Sequence, residues 1–318
     1  MRYRSFFTAL LILTVGLGIY ITLNSSVSQQ KADPDRQYLH YFNEHYKIFA
    51  IDIPDTFTFA NERMPLHVHD VKERFDRELM VNTYWQSQSL LMFKRASRWF
   101  PVIEPILKEE GVPDDFKYLS VAESGLSNVV SPAKAVGFWQ FLKSTAKENG
   151  LEIREGVDER YNVELSTRAA CRFLKDCKSK YGSWTMAAAA YNYGQGNLDS
   201  QIKRQGSENY YDLLLNEETA RYVFRVSAYK EILSNPGKYG FHFRPGDLYP
   251  PYQVNEVKVD SNITDMPAFA RRFGLNYKNL KILNPWLRDN VLSNPRSKEY
   301  IIKVPSENEK GFKDSKEQ

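Results

Sequence analysis

The chain has 318 residues, 42% hydrophobic and 14% aromatic, enough to bury one large or two modest cores. Its net charge of +4 comes without a dense Lys/Arg stripe, which excludes a dedicated nucleic-acid binder and leaves an anionic polymer compatible as a substrate. The five histidines are scattered, and His67 and His69 have no neighbouring carboxylate or cysteine to complete a ligand set, so neither a metal nor a cofactor is implied.

At the N-terminus Arg2 and Arg4 precede an uncharged run from Phe6 to Leu23, long enough to span a bilayer as a helix with its start held in the cytoplasm. Residues 1–24 are therefore expected to be a membrane anchor or signal peptide. The run length favours a retained anchor at 6–23, and NSSVS at 24–28 leaves a cleaved signal peptide as the alternative. No cysteine lies near enough for lipid attachment. In either case the body is expected to be exported. Residues 25–66 read as a polar tether followed by a proline-containing extended arm.

From about His69 the pattern turns helical. Val71, Phe75 and Leu79 mark one helix; Tyr84–Phe100 is predicted as a second, ended by Pro101; Val102–Glu110 as a third, stopped by Gly111 and Pro113. Asp114 is predicted to cap the helix that ends near Glu123. A short helix at Lys143–Asn149 and a long one at Val163–Tyr181 follow. The long one carries Cys171 and Cys177, six apart and on different faces, too far for a disulfide, so both read as buried thiols. Ser183 is predicted to cap Trp184–Tyr193, whose run Ala187–Ala190 allows close helix approach, and the glycines after Asn192 suit a left-handed end. Glu217–Leu233 is the last helix, with Thr219, Tyr222, Val223, Val226, Tyr229 and Leu233 as its stripe. Almost nothing from 70 to 235 reads as strand, so a mainly α domain is expected over 67–243.

Residues 244–251, with Arg244-Pro-Gly and Tyr249-Pro-Pro251, read as a stiff linker. Tyr252–Val259 alternates as a strand, Pro267 opens a short helix ending at Gly274, Tyr277–Leu283 is a second, and Tyr300–Val304 a last strand. This predicts a β-α-α-β module at 252–306, with Tyr277 and Trp286 in its core, and a disordered tail at 307–318.

The residue with the clearest chemistry is Glu123. Phe116, Leu119, Ser120 and Glu123 share one helix face by their spacing. A carboxylate on an inward face is costly unless partnered or employed. Desolvation raises its pKa, which keeps a proton on it near neutrality, the state a general acid requires. The Ser/Pro turn and the Gly137-Phe-Trp-Gln140 segment after it are expected to form a facing cleft wall.

Four segments in order, Glu123-Ser124 with Ser131, Gly137-Phe-Trp-Gln140, Ala190-Tyr-Asn192 and Glu218-Thr-Ala-Arg-Tyr-Val223, resemble the soluble-lytic-transglycosylase family, related to goose-type lysozyme. The resemblance covers roughly 100 residues. The Phe138-Trp139 variant and the helical lead-in look most like the membrane-bound murein transglycosylases. The C-terminal unit resembles a degenerate LysM module, with Asn262-Ile-Thr264 where Gly-Asp-Thr is usual.

The resemblance implies a lysozyme-like α-helical catalytic domain followed by a small LysM-like module. It also implies non-hydrolytic cleavage of the MurNAc–GlcNAc β-1,4 bond of peptidoglycan glycan strands, leaving 1,6-anhydroMurNAc ends. Glu123 would act alone as acid and then base, with the sugar's own C6 hydroxyl as nucleophile. Ser124, Ser131, Gln140, Tyr191 and Asn192 are implied to contact the substrate, and Tyr222 to steady the carboxyl. The step from Glu123 to Ser131 is one residue shorter than is common in the family. A monomer is expected.

Other readings stand beside these. Phe138 and Trp139 read equally as core or as a sugar platform, and Glu218 as a first-turn acid favouring a helix N-terminus. The rivals to the transglycosylase are a hydrolytic muramidase, against which the missing second carboxylate motif argues, and a non-catalytic peptidoglycan-binding protein, against which the full motif set argues.

Overall fold

The computed structural model describes residues 34–45, 47–309 and 311–312. The anchor or signal expected at 6–23 lies outside them, and no described helix is long and apolar enough to cross a membrane. The chain divides into two units, residues 1–50 and 51–318. In the first, the stretch expected as tether holds helix α1 (Pro34–His45), which has Asp35 in its first turn and an i,i+4 His40–Glu44 pair at 3.4 Å.

The second unit opens with strands β1 (Thr58–Phe59) and β2 (Glu62–Arg63), a tight hairpin whose turn residues Ala60 and Asn61 both have positive φ. The arm expected to lie outside the helical domain is in fact part of its core. Phe57, Phe59 and Met64 are buried there, with Phe57 against Phe75 at 4.8 Å and Phe59 edge-on to Phe116 at 5.3 Å. Large aromatics in a loop are better buried than exposed.

Next come α2 (His69–Tyr84) and α3 (Gln86–Glu109). The two helices expected on either side of Pro101 are one. Pro101 and Pro105 lie four apart on the exposed face of α3, so the carbonyls they leave unpaired meet water, while Ile103, Ile106 and Leu107 continue the buried face.

A 3-10 turn at Asp114–Phe116 leads into α4 (Lys117–Ser124). Asp114 does not cap this helix as expected. Its carboxylate pairs with Lys117 Nζ at 2.6 Å, which Glu104 also holds at 2.7 Å. Helix α5 (Lys143–Glu148) and the hairpin β3 (Ile153–Arg154) and β4 (Val157–Asp158) follow.

Helices α6 (Val163–Tyr181) and α7 (Trp184–Tyr193) have the bounds the sequence predicts, with Asn162 and Ser183 capping and Gly182 left-handed between them. Cys171 and Cys177 are free and buried, and burial pushes both thiols up to about 12. Gly194 bends the chain directly into α8 (Gln195–Gln205), a polar helix with one buried side chain, Leu198, and hence no apolar stripe to announce it.

Helix α9 (Glu217–Ser234) runs through the centre and packs on α2, α4 and α7. Ala187–Ala190 of α7 are fully buried, and their small side chains allow the close approach.

The C-terminal module pairs β5 (Val254–Val259) with β6 (Tyr300–Pro305) in antiparallel register, and α10 (Met266–Arg271) and α11 (Tyr277–Leu283) lie between them in sequence. Its core holds Met266, Ala270, Leu280 and Ile302, and Trp286 stacks on Tyr300 at 5.5 Å. Tyr277, expected in that core, is 38% exposed at the first turn of α11. The tail is also not wholly free: Phe312 is buried against Tyr252 at 5.1 Å, and Glu309 accepts the Gln253 amide at 3.0 Å.

Candidate active site

Glu123 is in the last turn of α4, which Gly125 ends in a left-handed cap. That short helix is apolar on its inner side, with Leu119 and Ser120 fully buried, so it delivers the carboxyl to the inside of the molecule. Tyr222 of α9 donates its phenolic O–H to Glu123 Oε1 at 2.5 Å. Burial raises the Glu123 pKa, while the Tyr222 hydrogen bond and the Arg225 charge lower it and the Glu218 charge raises it further; it stands at about 7. Burial and the nearby Glu123 carboxyl also push the phenols of Tyr222 and Tyr191 well above their usual range.

The residues predicted around the acid divide into three groups. Tyr191 and Tyr222 share its environment, Tyr191 donating to Trp139 O at 2.6 Å and packing edge-on against Phe173. Asn192 and Glu218 form a second group: Asn192 Nδ2 reaches Glu218 Oε1 at 3.3 Å, and its Oδ1 accepts from Thr219 Oγ1 at 2.9 Å. Glu218 is thus a first-turn acid of α9 that also acts electrostatically on Glu123.

Ser124, Ser131 and Gln140 shape the segment between α4 and α5. Ser124 Oγ donates to Phe138 O at 2.9 Å, which ties the residue after the acid to the facing segment. Ser131 Oγ accepts the Ala135 amide at 3.0 Å and closes a turn; its own O–H has no protein acceptor among the described residues. Gln140 has a left-handed φ of 47°, and its Nε2 donates to Val129 O at 3.1 Å and Gly137 O at 2.8 Å, leaving Oε1 without a protein partner among the described residues.

Phe138 and Trp139 belong to the core. Trp139 is fully buried with its indole N–H on Thr167 Oγ1 at 2.9 Å, and Phe138 meets Trp99 edge-on at 5.0 Å.

Sequence reasoning missed Arg225 and its support, Glu78. Glu78 is 1% exposed and is shared by Arg221 at 2.6 Å, Arg77 at 2.7 Å and Arg225 at 3.8 Å. The signal that singled out Glu123, an acid on an apolar helix stripe, was present for Glu78 beside Phe75 and Leu79. Among the described residues no group of three or more His, Cys, Asp or Glu side chains could hold a metal ion.

Residues 100–214 match the transglycosylase SLT domain, and residues 255–308 match the soluble lytic transglycosylase C-terminal LysM-like domain. The chain is 26% identical over 247 residues to membrane-bound lytic murein transglycosylase D of Escherichia coli strain K12, covering 75% of this chain and 53% of that protein. It thus spans about half the length of that relative. A 65-residue stretch is 43% identical to the peptidoglycan transglycosylase gp16 of Escherichia phage T7, covering 20% of this chain and 5% of that one. Among solved structures, the 70 kDa soluble lytic transglycosylase of Escherichia coli is similar with a TM-score of 0.38 and 18% identity, covering 48% of this chain and 27% of that one.

Proposed function

We infer, for a chain that carries a transglycosylase SLT domain and a C-terminal LysM-like domain, that it is a peptidoglycan lytic transglycosylase of the cell envelope in which Glu123 does the chemistry alone. The observation that carries this reading is the half-buried Glu123 carboxyl, with its pKa raised to about 7 and its Oε1 held by Tyr222. Such a group is substantially protonated at neutral pH and donates its proton to the glycosidic oxygen of a MurNAc–GlcNAc β-1,4 bond. The C–O bond then breaks as positive charge develops at C1 of MurNAc. The C6 hydroxyl of the same sugar attacks C1, and Glu123, now a carboxylate, takes the hydroxyl proton. Glu123 ends as it began, protonated, and the product carries a 1,6-anhydro ring. No second carboxylate is needed because the nucleophile is already attached to the substrate.

In this reading Tyr222 orients the carboxyl, and its hydrogen bond stabilises the ionised state that follows proton donation. Ser131, through its free O–H, and Gln140, through Oε1, offer groups to sugar hydroxyls. Tyr191 and Asn192 line the opposite side, and Ser124 fixes the wall to the acid's helix. Anchoring by residues 6–23 and a monomeric state belong to the same proposal.

One observation favours a second reading, a muramidase: Glu218 is a carboxylate close enough to raise the Glu123 pKa, and a carboxylate there could activate water. Its hydrogen bond from Asn192 supports a structural role instead. Mass analysis of the muropeptides decides. Anhydro ends are expected; reducing ends alone would replace the transglycosylase by the muramidase. A purified Glu123→Gln variant is expected to lose about a thousandfold or more in rate, and full activity in that variant would remove Glu123 from the mechanism.

A further inference from the structure

We propose that the C-terminal module is a brace for the cleft wall, acting through Arg160 as a positioning residue, rather than an appendage free to move on its linker. This rests on the reading of Glu123 and the segment at 125–142 as the active site.

The first half of the brace joins the module to the β3–β4 hairpin. Val157 of β4 is fully buried within the apolar core of the module and bridges Leu287. On either side of it the Arg288 amide donates to Gly156 O at 2.8 Å and the Asp158 amide to Trp286 O at 2.9 Å. Residues 156–158 are in effect an added edge of the module. Charges surround this seam: Lys298 reaches Glu152 at 2.6 Å and Glu159 at 3.0 Å, and Lys303 pairs with Glu164.

The second half joins the same hairpin to the cleft wall. The Asp158 carboxylate holds Arg160 through Nε at 3.0 Å and Nη2 at 2.7 Å. Arg160, 8% exposed, then donates from Nη1 to Phe141 O at 3.1 Å and Lys134 O at 3.3 Å. These carbonyls lie at two separate points of the wall, so one planar guanidinium sets their spacing. Gly137 sits against the Arg160 carbonyl so closely that a Cβ would come within 2.1 Å of it. Asp158 is the shared residue: the module holds its amide, and its carboxylate holds Arg160.

The wall so fixed is the one that carries Ser131 and Gln140. Its Phe138 carbonyl is tied to Ser124 beside the acid, and its Trp139 carbonyl to Tyr191. A module with independent motion would meet its neighbour through a wet, polar surface. Here a valine is wholly inside the module's core, and the linker is fastened as well: the Tyr249 amide donates to Lys94 O at 3.3 Å, and the Arg98 guanidinium lies 5.2 Å from the Tyr249 ring centre.

The test uses the full chain with Val157→Asp, which puts a charge into the seam. The readouts are amide hydrogen exchange at Val136, Gly137 and Phe141, and kcat and KM on short soluble glycan strands that need no wall anchoring. Exchange at these amides is expected to quicken about tenfold or more, and kcat to fall about tenfold with KM changed less. Because Val157→Asp could also unfold the module, Lys303→Glu serves as a milder variant that leaves both apolar cores intact. It should move both readouts in the same direction, and adding Glu164→Lys should restore them. Unchanged exchange and unchanged kcat on soluble strands in both variants, with weaker binding to intact walls alone, would overturn the brace. If the wild-type chain cleaves no glycan, the reading of the active site fails, while the exchange measurement still decides the brace.

Discussion

The phenolic oxygen of Tyr222 lies 2.5 Å from Glu123 Oε1, and the two groups oppose each other: burial favours the neutral carboxyl, and the phenol favours the charged one. Removing the phenol therefore has a definite sign. In Tyr222→Phe the Glu123 pKa rises further, above about 7. The acid form then persists to higher pH, and the alkaline limb of the kcat/KM profile moves up. The rate at the optimum falls roughly tenfold, because the carboxyl loses its orienting partner. A pH–rate profile of wild type and variant checks both; an alkaline limb that stays put or moves down would remove Tyr222 from the tuning of the acid.

The raised pKa of Glu123 also has a cost in stability. The folded state keeps its proton up to about 7, against 4.5 for an unperturbed glutamate. Between these values the folded chain binds more protons than the unfolded one, so stability falls as pH rises through that window and stays low above it. The shift corresponds to about 3 kcal/mol. Glu123→Gln keeps the shape without the charge, so it is expected to unfold at higher temperature than wild type at pH 8. The two should converge near pH 4, where the wild-type carboxyl is neutral. Calorimetry at the two pH values measures it, and an equal difference at both would contradict a desolvated carboxyl.

Activity should follow the same titration. With Glu123 as the general acid, the rate falls as pH rises through about 7. Loss already complete as pH rises through about 4.3, the ordinary glutamate value, would mean that the group is not desolvated in solution.

Much of this was legible in the residues. The α6 and α7 helices carry their own caps, a periodic stripe and a stopping glycine, so their bounds could be read. Glu123 stood out because an acid interrupted an apolar stripe. The errors came where local rules met tertiary burial. Pro101 reads as a stop because proline ends helices in general, but it faces solvent here, as Pro105 does, and α3 continues. The arm at 51–66 lacks periodicity, yet its aromatics fill the core because the helices leave a gap for them. Glu78 carried the same stripe signal as Glu123, but its pairing with Arg221 and Arg225 depends on α2 and α9 lying side by side. No spacing within either helix states that.

Gly137 is a point where one methyl group should be costly. Its φ is 84°, and a Cβ would lie 2.1 Å from the Arg160 carbonyl oxygen. Neither atom is on a flexible side chain, so the backbone must separate. Gly137→Ala is expected to destabilise by about 3 kcal/mol or more and to lower activity by displacing the segment that carries Gln140. Urea unfolding gives the first quantity; a midpoint within error of wild type would show that the wall yields easily.

Glu78 makes the last case, because its environment differs from that of Glu123 although both are acids on inward faces. Glu123 faces a phenol and one guanidinium, and its proton is retained. Glu78 is nearly inaccessible and is shared by Arg77, Arg221 and Arg225, two helices held by one carboxylate. The arginines are partly exposed and can turn to water when the charge is lost, which softens the penalty; a glutamine oxygen can still accept, but the bond across α2 and α9 loses its charge and one oxygen becomes a donor facing guanidinium groups. Glu78→Gln is therefore expected to destabilise by about 3 kcal/mol, seen as a lower urea midpoint with the slope unchanged. Because the carboxylate at the centre of the network is nearly inaccessible, high salt should shrink the difference between wild type and variant only in part. A difference that vanishes in 1 M salt would mean that Glu78 is held by a solvent-exposed network instead.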